Sequence, residues 1–455
     1  MARANYKAPD VHLNLNVRGL PTSATLAINE RCEEMRREGL EVFKLGLGQS
    51  PFPVPETVIQ SLRDNAFQKD YLPVKGLRAL REAVADYHRR QGLTCTLDDV
   101  LIGPGSKELM FLLQLVYYGD LVIPTPAWVS YAPQAHIIGR RVHWLPTTDA
   151  TGWRLTPAAL RRLCKQDPGR PRIVVLNYPA NPTGSTYVLN DLRLLAKVAR
   201  RYRVILLSDE IYGELHHRGQ HISVARFYPE GTIVSSGLSK WCGAGGWRLG
   251  TFTFPPSLHW LRDAMAVAAS ETYTSTSAPI QYAAVRAFQG GAEIERFLWQ
   301  SRRILRALGR YGAMRLRSAG VKVPEPQGAF YLFPDFTPLR ASLAERGVVS
   351  SPKLCEALLQ ETGVALLPGS VFGRPAEELT TRLAYVDFDG ASALAAAERL
   401  PPRSRITEAF LRKHCEHVVQ GIDRIGDWLR TTVTVPINER TPPPISQVQG
   451  KMAGG

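Results

Sequence analysis

Arg172-Ile-Val-Val-Leu-Asn177-Tyr-Pro-Ala-Asn181-Pro-Thr-Gly184, and after it Val204-Ile-Leu-Leu-Ser-Asp209-Glu-Ile-Tyr212, read as two strands that break at polar residues. Each opens on a short apolar, largely β-branched run. Between them Leu192, Leu195, Ala196 and Val198 recur at near-helical spacing, which predicts a helix over 190–202. Thr232-Ile-Val-Ser235 is a third such run and ends just before Lys240. Strands that are apolar throughout and alternate with helices predict an α/β fold: a mainly parallel sheet covered on both faces. Ligands bind such sheets beyond the carboxyl ends of the strands. Asn181, Asp209 and Lys240 all follow such ends, so they form a candidate site.

The chain has 455 residues, 44% of them hydrophobic, which is long enough to expect more than one domain. A basic amphipathic helix is predicted around 293–317, a strand over 328–333, and helical segments at 354–359 and 391–400. Another helix is expected within 401–430. These suggest an N-terminal arm and part of a small domain over 1–50, and a large domain over 51–300. A linking helix and small α+β domain would fill 301–430, with a disordered tail over 431–455 containing Pro442-Pro-Pro444.

The net charge of +15 is spread along the chain without a compact basic run, so a solvated surface is expected and no nucleic-acid partner. No apolar stretch approaches the roughly 20 residues of a membrane span, and Met1–Asp10 has no signal-peptide core. Six widely spaced cysteines form no Cys-x-x-Cys pair, which predicts reduced thiols, a cytoplasmic location and no metal site.

Ser236-Gly-Leu-Ser-Lys240-Trp-Cys-Gly-Ala-Gly-Gly-Trp-Arg248-Leu-Gly250 sets one lysine among small residues, with an arginine eight positions on. A lysine that condenses with an aldehyde needs close access and a depressed pKa, and a guanidinium suits a phosphate. Alone, the stretch could be a glycine-rich loop with an incidental lysine. Together with the Asn181 and Asp209 segments in this order, it resembles the class-I aminotransferases of the aspartate-aminotransferase type. These are pyridoxal 5'-phosphate enzymes of fold type I, and the resemblance runs from about Gly46 to Leu400.

That resemblance implies a role for each matching residue. Lys240 would carry the cofactor as a Schiff base, and Asp209 would pair with the pyridine nitrogen. Asn181 and Tyr212 would reach the phenolic oxygen. Gly105, Ser106 and Lys107, at the start of an apolar helix, look like the phosphate cup, with Arg248 as a further phosphate contact. Trp128, in Pro124-Thr-Pro-Ala-Trp128-Val-Ser-Tyr131, would stack on the ring, the plain alternative being a core tryptophan. Tyr71, in Tyr71-Leu-Pro-Val-Lys-Gly76, would cross a homodimer interface to the neighbouring site. Arg382 matches the arginine that grips the substrate α-carboxylate, and Gly48 the place where backbone approaches substrate. Two departures stand out. Gln49-Ser50-Pro51 replaces the common Glu-Pro-Asp, and Gly237 stands where some relatives carry a phosphate-binding serine, with Ser236 or Ser239 as possible substitutes.

The implied activity is ping-pong transfer of an amino group from an L-amino acid to a 2-oxo acid such as 2-oxoglutarate. Lys107 matches a lysine that faces a distal carboxylate in one subgroup, which favours aspartate or glutamate, and Thr274-Ser-Thr-Ser277 of a neighbouring subunit could adjust that pocket. Aromatic or neutral amino acids, or a lyase reaction on the same fold, are the alternatives. A non-catalytic regulator would not be expected to retain Lys240, Asp209 and Arg382.

Overall fold

The computed structural model describes residues 12–401 and 404–434. Seven strands form the main sheet: β1 (Val100–Gly103), β2 (Asp120–Thr125), β3 (Val142–Pro146), β4 (Arg172–Asn177), β5 (Ile205–Asp209), β6 (Thr232–Gly237) and β7 (Gly250–Thr253). Their order is β1-β7-β6-β5-β4-β2-β3. Strands β3, β2, β4, β5 and β6 pair in parallel, while β7 runs antiparallel to both β6 and β1. The sheet is therefore parallel except at β7, as the unbroken apolar runs require.

Both faces are covered. Val174, Leu176 and Leu206 pack with Leu192, Leu195 and Val198 of the helix Leu189–Arg201. The intervening Ile173, Val175, Ile205 and Leu207 point the other way and pack with Leu109, Leu112 and Leu113 of the helix Ser106–Val116. Alternation along each strand thus supplies two cores, and each fully buried leucine contributes roughly 1.5–3 kcal/mol.

A three-stranded antiparallel sheet lies beyond the long helix Ala292–Ser318, with β8 (Tyr331–Leu332), β9 (Leu367–Pro368) and β10 (Thr381–Ala384) in the order β8-β10-β9. Residues from the start of the chain complete it. Cys32, Met35 and Val42 pack with Ala365, Phe43 bridges Val364, and Leu45 accepts the Ala384 N–H. The chain passes from this sheet toward the main one through Pro51 and Phe52, where two glycines crowd its backbone. A Cβ on Gly390 would fall 2.1 Å from the Pro51 carbonyl oxygen, and one on Gly243 2.4 Å from that of Phe52.

Three local expectations need correction. The strand predicted over 328–333 shrinks to Tyr331–Leu332, because the residues before it are bound to two loops instead of a neighbouring strand. Residues 401–430 hold two helices, Glu408–His414 and Glu416–Thr434, separated at Cys415. The second continues past residue 431, where the tail was expected to begin, and residues 435–455 lie outside the described residues.

Candidate active site

Backbone register brings the first three candidates together. Asn177 pairs with Asp209 across β4 and β5, and Asp209 with Ser235 across β5 and β6. Asn177 donates from Nδ2 to the Asp209 carbonyl and accepts the Asn181 N–H at 2.8 Å, which fixes the turn that carries Asn181. Asp209 is 3% exposed. Its Oδ2 accepts from the Tyr131 hydroxyl at 2.5 Å, and burial pushes its carboxyl up to about 6.

Lys240 stands in the loop after β6, and its Nζ donates to the Gly48 carbonyl at 2.7 Å. The ammonium lies 5.7 Å from the Tyr212 ring and 5.9 Å from that of Phe330. Burial first, and then the charge of Arg382, lowers its pKa to about 8. That range makes the neutral amine accessible near physiological pH.

Arg382 is 1% exposed, an unusual environment for a guanidinium. It comes from β10 and donates to Asn181 Oδ1 at 3.1 Å and to the Gly46 carbonyl at 2.5 Å. Its guanidinium carbon lies over the rings of Tyr331 and Phe372, at 4.9 and 5.1 Å. The Nε hydrogen has no partner. A buried, incompletely satisfied guanidinium at a cleft is an anion site in chemical terms.

Gly105 precedes the helix Ser106–Val116 in the left-handed region, and Arg248 lies against it. A Cβ on Gly105 would fall 2.3 Å from Arg248 Nη2. Arg248 is itself left-handed and is held by the Gly245 and Pro104 carbonyls. Lys107 projects over the Trp128 ring at 5.2 Å, and burial together with Arg248 lowers its pKa. The Trp128 ring meets Tyr131 edge-on.

Contacts therefore tie Lys240 to Gly48 and Tyr212, and Arg382 to Asn181, and the charges of Arg382, Asp209, Arg248 and Lys107 all act on Lys240. Gly105, followed by Ser106, lies beside Arg248, and Trp128 beside Lys107. Tyr71 is not among them. It is 88% exposed and makes none of the contacts described above. Ser236 is buried in β6 opposite Thr251, while Ser239 is half-buried in the lysine loop.

Sequence reading did not assign Tyr131, Tyr331 or Phe372. Tyr131 had a signal: it falls three residues after Trp128, on the same turn. Tyr331 and Phe372 had none, because their places depend on how the small sheet folds around Arg382. Tyr331 also explains Gly48, where a Cβ would fall 2.1 Å from the Tyr331 hydroxyl.

Known proteins resemble this chain over most of its length. The model of the family "Aminotransferase class I and II" matches residues 41–397. An aspartate aminotransferase of Bacillus sp. (strain YM-2) is 32% identical over 81% of this chain and 93% of its own. An aspartate/prephenate aminotransferase of Thermus thermophilus is 32% identical over 79% and 91%. The solved aspartate aminotransferase from Thermus thermophilus with maleate superposes with a TM-score of 0.77 at 29% identity, covering 90% of this chain and all of the other. A family match over most of the chain, on the same fold, settles the assignment: the chain belongs to the class I and II aminotransferases and is a pyridoxal-phosphate-dependent transaminase.

Proposed function

We propose that this enzyme transfers the amino group of an acidic amino acid, aspartate or glutamate, to a 2-oxo acid. The observation that carries this reading is a pair of cations near one lysine: buried Arg382, and Lys107 beside Trp128, whose charges both act on Lys240. A dicarboxylic substrate needs two such cations. The names of the relatives, aspartate aminotransferases above all, point the same way.

The residues fit the cofactor. Asp209 is a buried carboxylate that accepts from a hydroxyl and forms no salt bridge among the described residues, which suits a protonated ring nitrogen. Arg248 and the first turn of the helix Ser106–Val116 offer a guanidinium and N–H groups to a phosphate, and Gly105 leaves the space between them. Pyridoxal phosphate, when bound, supplies an aldehyde that condenses with amines and a ring that withdraws electrons.

Within that frame, Asp209 would pair with the ring nitrogen and keep it protonated, and Asn181 and Tyr212 would hold the ring oxygen. Trp128 would pack against the ring and exclude water. Arg382 holds the substrate α-carboxylate, placing the α-hydrogen toward Lys240. Lys240 Nζ, neutral above about pH 8, takes that proton from the α-carbon. Gly48 leaves room for the substrate. We further propose a homodimer in which the exposed Tyr71 reaches the neighbour's phosphate site. Among the described residues no helix is long and apolar enough to cross a membrane. All six cysteines are buried free thiols, which supports a cytoplasmic location.

The test is a single half-reaction: mix the pyridoxal form with one amino acid, without acceptor, and follow its conversion to the pyridoxamine form by absorbance. Aspartate and glutamate should convert it, and Lys240→Ala should slow conversion by ~10⁴-fold or more. Conversion only by aromatic or neutral amino acids would discard the acidic-substrate reading. Pyruvate and ammonia released without conversion would replace transamination by a lyase reaction.

A further inference from the structure

Tyr331 touches two groups that the proposed mechanism uses, Tyr212 and Arg382, and has no role of its own so far. Its hydroxyl is 2.7 Å from the Tyr212 hydroxyl, and the two rings meet nearly edge-on, 5.6 Å apart. Its ring also covers the guanidinium of Arg382 at 4.9 Å. The backbone accounts for both contacts. Tyr331 pairs with Ala384 across β8 and β10, and Ala384 and Arg382 share one face of β10, so Tyr331 is Arg382's diagonal neighbour. The segment leading to Tyr331 is tied to the Tyr212 loop, with Ala329 N–H donating to the Leu215 carbonyl and His217 spanning the Pro326 and Ala329 carbonyls. The side chain is 1% exposed and has little freedom to take up another place.

We propose that Tyr331 is a positioning residue with two separable functions: its hydroxyl orients the Tyr212 hydroxyl, and its ring holds the Arg382 guanidinium in plane. This rests on the roles given above to Tyr212 and Arg382. The logic of the hydroxyl pair is a count of hydrogens. Two phenols in contact use one O–H between them. If Tyr331 donates, the Tyr212 hydrogen is left free and is directed away from Tyr331, into the cleft. Were Tyr212 the donor, it would have no hydrogen to offer a ring oxygen. The ring function is independent of that hydrogen: an aromatic face against a buried guanidinium supplies attraction and leaves the in-plane N–H groups open to a carboxylate.

The two functions are separated by Tyr331→Phe and Tyr331→Leu, measured beside wild type, Tyr212→Phe and the double variant Tyr212→Phe/Tyr331→Phe. Two quantities are read on the cofactor-loaded protein: the pH midpoint of its visible absorption, and the Kd for maleate, a dicarboxylate that does not react. Tyr331→Phe should move the midpoint in the same direction as Tyr212→Phe, by roughly half a pH unit, the weight of one neutral hydrogen bond felt at second hand. Its maleate Kd should stay within about twofold, and Tyr331→Leu should weaken maleate by about tenfold. In the double variant the midpoint should equal that of Tyr212→Phe alone, because the hydroxyl acts only through Tyr212. A midpoint unmoved by Tyr331→Phe, or a further shift in the double variant, would overturn the first function. Equal maleate affinity in Tyr331→Leu and wild type would overturn the second. If Tyr212→Phe itself leaves the midpoint in place, the role of Tyr212 fails and the hydroxyl function falls with it.

Discussion

Asp209 and Glu210 are consecutive carboxylates at the end of β5, both buried, and the protein treats them in opposite ways. Burial pushes Glu210 upward too, but His221 at 2.8 Å and the hydroxyls of Ser208 and Ser223 more than reverse it, holding the carboxyl below its usual value. Asp209 has the Tyr131 hydroxyl and the Ile211 N–H, forms no salt bridge among the described residues, and is raised to about 6. The side of the strand facing the core is complete in itself. The side facing the cleft is left short of one positive charge. A buried group satisfied by its neighbours serves the fold, whereas one left wanting a partner waits for a ligand.

The strongest way to break this contrast is to neutralise each residue in turn. Asp209→Asn should lower transamination by ~10²–10⁴-fold while leaving the cofactor-free protein as stable as wild type or more so. The sign follows from linkage. A carboxyl raised in the fold contributes stability below pH 3.8 and loses it as pH rises through about 6, so at pH 7 it costs on the order of 2–3 kcal/mol. Glu210→Gln should do the reverse, keeping activity within a few-fold while removing about 3 kcal/mol of stability. Urea unfolding of both cofactor-free variants decides; two variants that lose stability equally would erase the distinction.

A smaller effect concerns the cation on the cleft side. The rate at which the cofactor-free enzyme takes up pyridoxal phosphate should follow the neutral form of Lys240. It would fall about tenfold for each pH unit below a midpoint near 8. Arg382→Gln removes the second cause of that depression, so the midpoint should rise. A flat profile, or a midpoint indifferent to Arg382, would place the lysine outside its influence.

The smallest expected effect sharpens the contrast with a buried base. His88 is 1% exposed, neither ring nitrogen has a partner, and burial lowers its pKa to about 4. Its neutral form supports the fold above pH 6.5, and that support is lost as pH falls through about 4. Melting temperature should decline across this window, and His88→Leu should decline less steeply. His216 and His217, also lowered to about 4, keep the remainder of the slope.

What could be read in the sequence follows from where each contact is made. Asp209, Asn181 and Lys240 belong to strand ends, and strands declare themselves through short apolar runs, so the large sheet and that wall of the site were legible together. Arg382 was found by family resemblance, since nothing in Thr381-Arg-Leu-Ala384 announces a buried cation. Tyr331, Phe372 and the Gly46 carbonyl remained hidden because they meet Arg382 only after segments far apart in the chain assemble the small sheet. Tyr71 stays at the surface of the single chain.

The shared rung of Asn177, Asp209 and Ser235 has a consequence for how such a protein can vary over evolutionary time. Side chains alternate along a strand, so one extra residue within Ile205–Leu207 would turn Asp209 from the cleft to the opposite face and exchange the two cores. Deletions and insertions are therefore excluded from the strands whatever residue they add, even where point changes among valine, isoleucine and leucine are tolerated. Length changes are expected instead in the connections away from the site, where the reacting groups keep their spacing.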